Sequence, residues 1–260
     1  MPPASAAAAD NSLATAADAP LVDAVSPEAG PAAPVYATVL PVPVLLRYQL
    51  HSGGQVGEAT LDWRHDGQRY ALWFDARGGR AQPLIEQVSQ GGFDAAGLAP
   101  LRFTDRRRGR SQSAANFRRD IGRIGFSGPQ LDYPAWPGAQ DRLSWLAQLA
   151  AIQGASVVPL PTITLFVVDA WGGGDWWRWI AMGADEVSTP LGRVAAQRWQ
   201  REPDRLDRPD SQRVEVWLDA MRGHWPVQLR STSLRSGEVF ELQLAAEPGL
   251  PPSLPPVLPP

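Results

Sequence analysis

Apolar and polar side chains alternate along two adjoining segments of the chain, residues 55–65 and residues 68–77. Alternation with a period of two is the pattern of a β-strand that buries one face. The dipeptide Asp66-Gly67 between the segments favours a two-residue hairpin turn. The two segments therefore predict an antiparallel hairpin, and the predicted buried face carries Ala59, Leu61, Trp63, Tyr70, Leu72, Phe74 and Ala76.

The same alternation recurs through most of the chain after residue 44 and predicts about twelve strands. Residues 141–152 differ, because their apolar side chains follow a helical spacing and Asp141 is suited to cap the first turn. One amphipathic helix among many strands packs onto the concave face of a curved sheet. The predicted fold class is therefore mainly β: a curved antiparallel sheet, half-barrel-like, with one amphipathic helix packed on its concave side.

Composition divides the chain into three parts. Residues 1–43 are rich in Ala and Pro and residues 247–260 are rich in Pro, so we predict a disordered linker and a disordered tail. Residues 44–246 contain nearly all of the large apolar side chains and are numerous enough to bury a core. They are predicted to form one β-rich globular domain.

The stretch from Ser89 to Arg110 contains the glycines that suit a sharp turn, Gly91, Gly92 and Gly97. Pro100 suits the first residue of a strand, where its missing N–H matters least. We therefore predict that one strand ends at Ser89, that a glycine-rich corner follows, and that the next strand begins near Pro100. This stretch predicts architecture and no chemistry.

The chain contains no cysteine, which excludes disulfides, thiolate metal sites and a cysteine nucleophile. Its formal net charge of −3 is close to neutral and argues against a nucleic-acid partner. The three histidines, His51, His65 and His224, share no metal-ligand spacing, and no serine lies in a nucleophile-elbow motif. The sequence therefore predicts no metal, no cofactor and no catalytic residue.

The first residues contain neither a signal peptide nor any segment long enough to span a membrane. An Ala/Pro spacer at the start of a chain would join the domain to nothing. We therefore hypothesise that the natural chain starts upstream of Met1 with a signal or anchor segment. Reading the genomic frame upstream tests this hypothesis, and an immediate in-frame stop would contradict it.

Several sequence pieces in combination resemble one bacterial family. They are Ser89-x-Gly-Gly-Phe-x-x-x-Gly-Leu-x-Pro-Leu-Arg-Phe-x-Asp-Arg-Arg107, Asp141-Arg-Leu-Ser, Glu186-Val-Ser-Thr-Pro-Leu-Gly192, and Val216-Trp-Leu-Asp219 with Trp225-Pro-Val-Gln-Leu229. Together they resemble the domain-of-unknown-function 3108 family of Gram-negative envelope proteins, over residues 46–244. The resemblance implies a location in the periplasm or cell envelope. It brings no established activity, so no catalytic residue is carried over.

Tryptophans are concentrated in residues 171–179. In a strand, Trp177 and Trp179 share one face, and an indole offers a large flat surface to an apolar ligand. With Trp145 of the predicted helix, they are the candidate lining of a ligand cavity. The alternative is that these side chains belong to the hydrophobic core.

Four arginines fall within residues 106–110 and offer a site for phosphate or lipid headgroups. In a strand, Arg106 and Arg108 point one way and Arg107 the other, so the run does not form one basic face. Pairing with nearby carboxylates in solvent is the favoured interpretation.

Three functions stay open. The favoured one is a non-catalytic envelope protein that shelters a lipid-like or other apolar ligand in its concave face, by fold-level analogy with periplasmic lipoprotein carriers. The second is a protein-interaction module with a filled core, presented to an envelope protein partner on a Pro-rich stalk. The third is a hydrolase whose carboxylates would come from Asp185, Glu186, Asp204, Asp207 and Asp210. An open cavity would support the first function, a filled interior the second, and convergent buried carboxylates the third.

Overall fold

A computed structural model describes residues 33–202 and 211–254 of the chain. Fifteen strands, one α-helix and two short 3₁₀ turns account for most of these residues. The strands are β1 (Val44–Ser52), β2 (Gln55–His65), β3 (Arg69–Arg77), β4 (Pro83–Asp94), β5 (Gly97–Arg107), β6 (Ser113–Arg118), β7 (Arg123–Phe126), β8 (Asp132–Pro134), β9 (Gln140–Asp141), β10 (Thr162–Val168), β11 (Gly174–Thr189), β12 (Gly192–Arg201), β13 (Gln212–Asp219), β14 (Trp225–Ser233) and β15 (Val239–Leu244). The helix, α1, spans Ser144–Ala155, and the 3₁₀ turns span Gly79–Ala81 and Ala220–Arg222.

All fifteen strands belong to one sheet, which is not closed into a barrel by strand pairing. The order is β8-β7-β6-β5-β4-β3-β2-β1-β15-β14-β13-β12-β11-β10-β9. The strands β1–β8 form what we call the first wing, and β9–β15 form the second wing. Neighbours are antiparallel, except that β9 and β10 run parallel over two residue pairs. The first and last strands of the chain therefore pair at the centre of the sheet.

Side chains connect the two outer parts of the curled sheet. The Tyr133 hydroxyl donates to the carbonyl of Gly172 at 3.0 Å, and the Ser113 hydroxyl donates to the carbonyl of Ala170 at 2.7 Å. Each of these bonds links the first wing to the second wing near β10. The wings consequently enclose a common interior, and a single hydrophobic core contains residues from both of them.

The predicted mainly β fold with one helix is confirmed, and so is the predicted face of the first hairpin. β2 pairs with β3 across the Asp66-Gly67 turn, with Trp63 opposite Leu72. All seven residues predicted for the inner face are at most 7 % exposed. Alternation alone was sufficient here because one face of the hairpin meets the core and the other meets solvent.

The helix differs from the prediction in its start and in its exposure. α1 begins at Ser144, three residues after the predicted cap, although the Asp141 carboxylate still accepts bonds from the backbone N–H groups of Leu143 and Ser144. The predicted amphipathic character is wrong, because nine consecutive residues from Ser144 to Ile152 are buried. A helix inside a curled sheet has protein on every side, so it has no solvent face to make polar.

The predicted glycine-rich corner is also wrong, because β4 continues through Gly91 and Gly92 to Asp94. Gly91 serves a different purpose: a Cβ there would lie 2.2 Å from the carbonyl oxygen of Ala99 on β5. The turn falls at residues 95–96, and Gly97 follows it with a φ of +101°. Pro100 lies inside β5, next to a register shift between β4 and β5 and before pairing with β6 begins at Arg102. A proline is tolerated at such an irregular, half-paired position.

The parts of the predicted linker and tail that the structure describes contact the domain. Val39 donates its N–H to the carbonyl of Ala151 in the second half of α1, and Pro41 accepts a bond from the Trp63 indole, both at 2.9 Å. After β15, Gly249 exchanges two backbone bonds with Leu45. The rest of the predicted linker, 1–32, and of the tail, 255–260, lies outside the described residues. No helix in the described part of the chain is long and apolar enough to cross a membrane.

Candidate ligand cavity

A cavity of about 220 Å³ lies between the two wings, next to the first turn of α1. The first wing contributes residues of β3, β4 and β5, and the second wing contributes residues of β11, β13, β14 and β15. Strands far apart in the sequence therefore build one lining. The buried apolar residues of this lining are Phe74, Leu143, Trp145, Leu146, Trp177, Val214 and Leu242.

The inner end of the cavity is apolar because α1 closes it. Leu143 immediately precedes the helix, and Trp145 and Leu146 lie in its first turn. They line this end together with Trp177 of β11, and none of these four is more than 7 % exposed. The rings of Trp145 and Trp177 meet edge to face, with their centroids 5.8 Å apart. This arrangement presents two indole surfaces to whatever occupies the cavity.

The polar residues of the lining are Gln87, Arg107, Arg142, Gln212 and Ser231, and the half-buried apolar residues Ile85, Leu229 and Phe240 complete it. Gln212 is exposed, and the Arg107 side chain is 39 % exposed, so the cavity opens to solvent beside these two residues. The Ser231 hydroxyl donates to the side-chain oxygen of Gln212 at 2.8 Å. The cavity thus has an apolar end and a polar mouth.

Arg107 is held in place by a buried carboxylate behind the cavity wall. Its Nε and Nη2 both donate to Oδ2 of Asp105, each at 3.1 Å, and Asp105 is fully buried. Gln87 donates to the same carboxylate oxygen at 2.8 Å. A guanidinium fixed along one edge by such bonds keeps its orientation with little loss of side-chain entropy on binding.

Two further guanidinium groups lie against Trp177. The Cζ atom of Arg142 is 5.0 Å from the ring centroid, and the Cζ atom of Arg201 is 4.4 Å from it. Both distances are in the range of cation–π attraction. Trp177 therefore forms an apolar wall of the cavity and also orients the positive charge of Arg142 at the polar mouth.

The structure brings two of the three predicted lining residues into the cavity. Trp145 and Trp177 line it, whereas Trp179 is fully buried and stacks on Trp145 with the ring centroids 4.5 Å apart. Trp179 thus lies behind the lining and supports it. Their predicted role in ligand binding stays a prediction.

Sequence reasoning missed the polar mouth, although one signal was present. Arg107 is the one arginine of residues 106–108 that points to the inner face of β5, beside the buried Asp105. The alternation of the strand separates it from Arg106, which pairs with Glu86 at 3.2 Å on the exposed side. For Gln87, Gln212 and Ser231 no comparable signal exists, because only the curvature of the sheet brings them together.

A buried polar network lies between β3, β4 and the start of α1. The Tyr70 hydroxyl is 3.1 Å from the Ser89 hydroxyl, which donates to Oδ2 of Asp141 at 2.6 Å. Burial raises the pKa of the fully buried Asp141 carboxyl to about 6, against the hydrogen bonds from Ser89 and Ser144, which lower it. The network connects Ser89 of the first motif with Asp141 and Ser144 of the second, which explains both motifs structurally.

The carboxylates considered for hydrolysis do not line the cavity. Asp185 accepts a bond from the Trp217 indole at 2.9 Å, and Glu186 forms an ion pair with Arg193. The remaining candidates, Asp204, Asp207 and Asp210, lie outside the described residues. Among the described residues that line the cavity, none is Asp or Glu.

Comparison with known proteins gives a family and a fold. The family model for "Protein of unknown function (DUF3108)" matches residues 47–243. Among solved structures, the chain is similar to the crystal structure of a beta-barrel-like protein of the domain of unknown function DUF1849 from Brucella abortus. That match has a TM-score of 0.53 and 13 % sequence identity, and it covers 82 % of this chain and 99 % of the other. At this identity the likeness is one of fold alone. A search of the curated proteins finds no match.

Proposed function

This chain belongs to the DUF3108 family of proteins of unknown function, and from this premise we propose that it binds a small, largely apolar ligand in the cavity between its wings. The observation that supports the proposal is the cavity of about 220 Å³, with two tryptophans at its inner end and an opening at its polar side. Ligand sites are typically apolar concavities with a few placed polar groups. Elsewhere the core is filled by fully buried side chains, including Trp63, Trp199 and Trp225.

The size of the cavity sets the size of the ligand. A volume of about 220 Å³ is that of roughly seven water molecules, so it accommodates a medium-length alkyl chain or one aromatic ring. Burying about six CH₂ groups contributes about 5 kcal/mol, from which the cost of association must be subtracted. We therefore expect weak, exchangeable binding.

The proposed location is the periplasm or cell envelope, and it rests on the resemblance to envelope proteins of the same family. Fractionation of the native cells, followed by immunodetection of the protein, tests it. A signal in the cytosolic fraction alone would contradict the proposed location without affecting the cavity.

Native mass spectrometry of the full chain, purified gently from a Gram-negative host, tests the binding proposal. We expect a bound mass that organic extraction removes, and we expect the emptied protein to take up the neutral alcohol 1-decanol. Val214→Phe should reduce this uptake by about tenfold or more, because Val214 lines the cavity and a larger ring there fills the space. The matched control is Val239→Phe, at an exposed position of β15 outside the lining.

The outcome that counts against the proposal is also defined. If the emptied chain binds neither 1-decanol nor any alkyl compound of the same length, the cavity is not a binding site for apolar ligands. If Val214→Phe and Val239→Phe both leave the uptake unchanged while folding normally, the ligand binds elsewhere.

A further inference from the structure

We infer that the preferred ligand of this cavity is an anionic amphiphile, with its chain at the indole-lined end and its charged group against Arg107 and Arg142. This inference rests on the proposed function and adds to it the chemical class of the ligand. It is carried by the charges of the lining, by the fixed geometry of Arg107 and by the basic surface that continues beyond the mouth.

The charges of the lining have one sign. Among its described residues, the two charged ones are Arg107 and Arg142, and both are cationic. Asp105 offsets part of the charge of Arg107 but lies behind it, fully buried and outside the lining. A carboxylate, sulfate or phosphate group at the mouth would therefore meet positive charge on the described part of the wall.

The guanidinium of Arg107 is oriented for such a group. Its Nε and Nη2 are bonded to Asp105, whereas its Nη1 has no hydrogen-bond partner among residues 33–202 and 211–254. Arginine binds carboxylate and phosphate groups through charge-assisted hydrogen bonds that are stronger than neutral ones. The Asp105 carboxylate thus acts as an anchor, and Nη1 remains available to the ligand.

Positive charge continues from the mouth onto the surface. A second hollow, of about 420 Å³, shares Ile85 and Arg107 with the cavity. It is also lined by Arg106, Arg108 and Arg110, against which Glu86 is the one carboxylate of its lining. A fatty-acid-like amphiphile and a phosphate-bearing amphiphile would both present an anionic group to Arg107. A headgroup larger than a carboxylate would in addition extend into this second hollow.

The experiment compares ligands of equal chain length on the full chain, by isothermal titration at neutral pH and low salt. The probes are decanoate, decyl phosphate, 1-decanol and decyltrimethylammonium. We expect both anions to bind about tenfold or more tightly than the alcohol, as one charge-assisted hydrogen bond accounts for that difference, and the cation to bind more weakly than the alcohol. A higher affinity for decyl phosphate than for decanoate would identify the ligand as a phosphate-bearing amphiphile. A higher affinity for decanoate would identify it as a fatty-acid-like one.

Variants identify the arginine responsible. The double variant Asp105→Asn/Arg107→Gln removes both charges of the ion pair, so that no buried carboxylate is left unpaired. It should abolish the preference for anions and still bind 1-decanol. The control Arg193→Gln alters β12 at a position where the side chain is 79 % exposed, outside the linings of the cavity and of the second hollow, and should leave the preference unchanged. If the double variant does not fold, Arg142→Gln is measured in its place and should lower the preference severalfold.

Each outcome has a defined meaning. Equal affinity for decanoate and 1-decanol would overturn this inference and leave the proposed function intact, whereas binding of none of the four probes would overturn both. If the double variant still prefers anions, the assignment of the headgroup site is overturned. Where the double variant does not fold, the same conclusion follows if Arg142→Gln keeps the preference. Loss of the preference in that variant, with 1-decanol still bound, is the supporting result.

Discussion

Asp141 is the residue that joins the helix, the first wing and the edge of the second wing. Its carboxylate accepts bonds from Ser89 on β4 at 2.6 Å and from the backbone N–H groups of Leu143 and Ser144 at 2.9 and 2.8 Å. It lies in β9, the strand that ends the second wing. Because the group is fully buried, its charge is stabilised by these donors alone and not by water.

The raised pKa of Asp141 predicts a pH-dependent contribution to stability. The folded-state pKa of about 6 lies above the ordinary value of 3.8, so folding favours the protonated form. The contribution of this group to the free energy of unfolding is therefore complete below pH 4 and is lost as the pH rises through 6, by about 3 kcal/mol. Urea unfolding of the wild type and of Asp141→Asn, measured across this range, gives the difference between them.

We expect the wild type to lose stability relative to Asp141→Asn between pH 4 and pH 7, because the asparagine has no proton to release. Parallel pH profiles for the two proteins would mean that Asp141 titrates at its ordinary pKa in the folded state. Asp66, an exposed carboxylate in the first hairpin turn, has a lowered pKa. Asp66→Asn is the control: the lowered pKa of Asp66 gives a contribution that is lost only below pH 4, so the difference between the wild type and Asp66→Asn should stay nearly constant from pH 4 to pH 7.

At the scale of elements, α1 replaces a missing neighbour strand. Residues 97–100 of β5 pair with β4 but precede the segment that pairs with β6. Gln148 of the helix bonds to this edge: its Oε1 accepts from the N–H of Leu98 at 2.8 Å, and its Nε2 donates to the carbonyl of Ala96 at 2.7 Å. Side-chain amides can satisfy a buried strand edge in this way because they carry one acceptor and two donor hydrogens.

Gln148→Ala is therefore expected to destabilise the fold by about 3 kcal/mol, since two buried backbone groups lose their partners. Gln153→Ala, on the same helix, is the matched control, because the Nε2 of Gln153 is buried without a hydrogen-bond partner among the described residues. Its substitution should cost less than about 1 kcal/mol. Chemical denaturation measures both, and equal losses would show that the bonds of Gln148 do not stabilise the edge.

At the scale of the molecule, the chain runs from the centre of the sheet to one edge and returns from the other edge to the centre. β1 and β15 pair at the centre, with Tyr48 opposite Leu244. The passage from β8 to β9 crosses between the edges through residues 135–139. Each wing alone would expose the apolar face that the other wing and α1 cover in the complete fold.

We predict that the two halves fold only together. Cutting the chain between residues 129 and 130, in the exposed segment 128–131, leaves β1–β7 in one half and β8, the helix and the second wing in the other. Neither half should unfold cooperatively alone, and the mixed halves should form a one-to-one complex that does. Circular dichroism during urea unfolding, with size-exclusion chromatography, measures this; cooperative unfolding of an isolated half would show that the wings are independent.

The sequence was most informative where a single strand or hairpin determines the answer. The alternation in β2 and β3 identified the buried face down to Trp63 and Tyr70, and the motif pieces identified the family. The corner was misplaced because Gly91 is needed for close approach to Ala99, a contact between strands that leaves no local pattern. The amphipathic helix was misjudged because exposure depends on what surrounds a helix.

By itself, the sequence determined the mainly β fold, the single helix and the family, because strand period, helical spacing and motif residues are local properties of a chain. Only the tertiary structure decided where the cavity lies and which side chains line it. Trp145 and Trp177 meet there while Trp179 is hidden behind them, and Arg107 reaches the mouth. These positions follow from the curvature of a sheet that brings β3–β5 to face β11–β15, and curvature is set by the packing of both wings around α1.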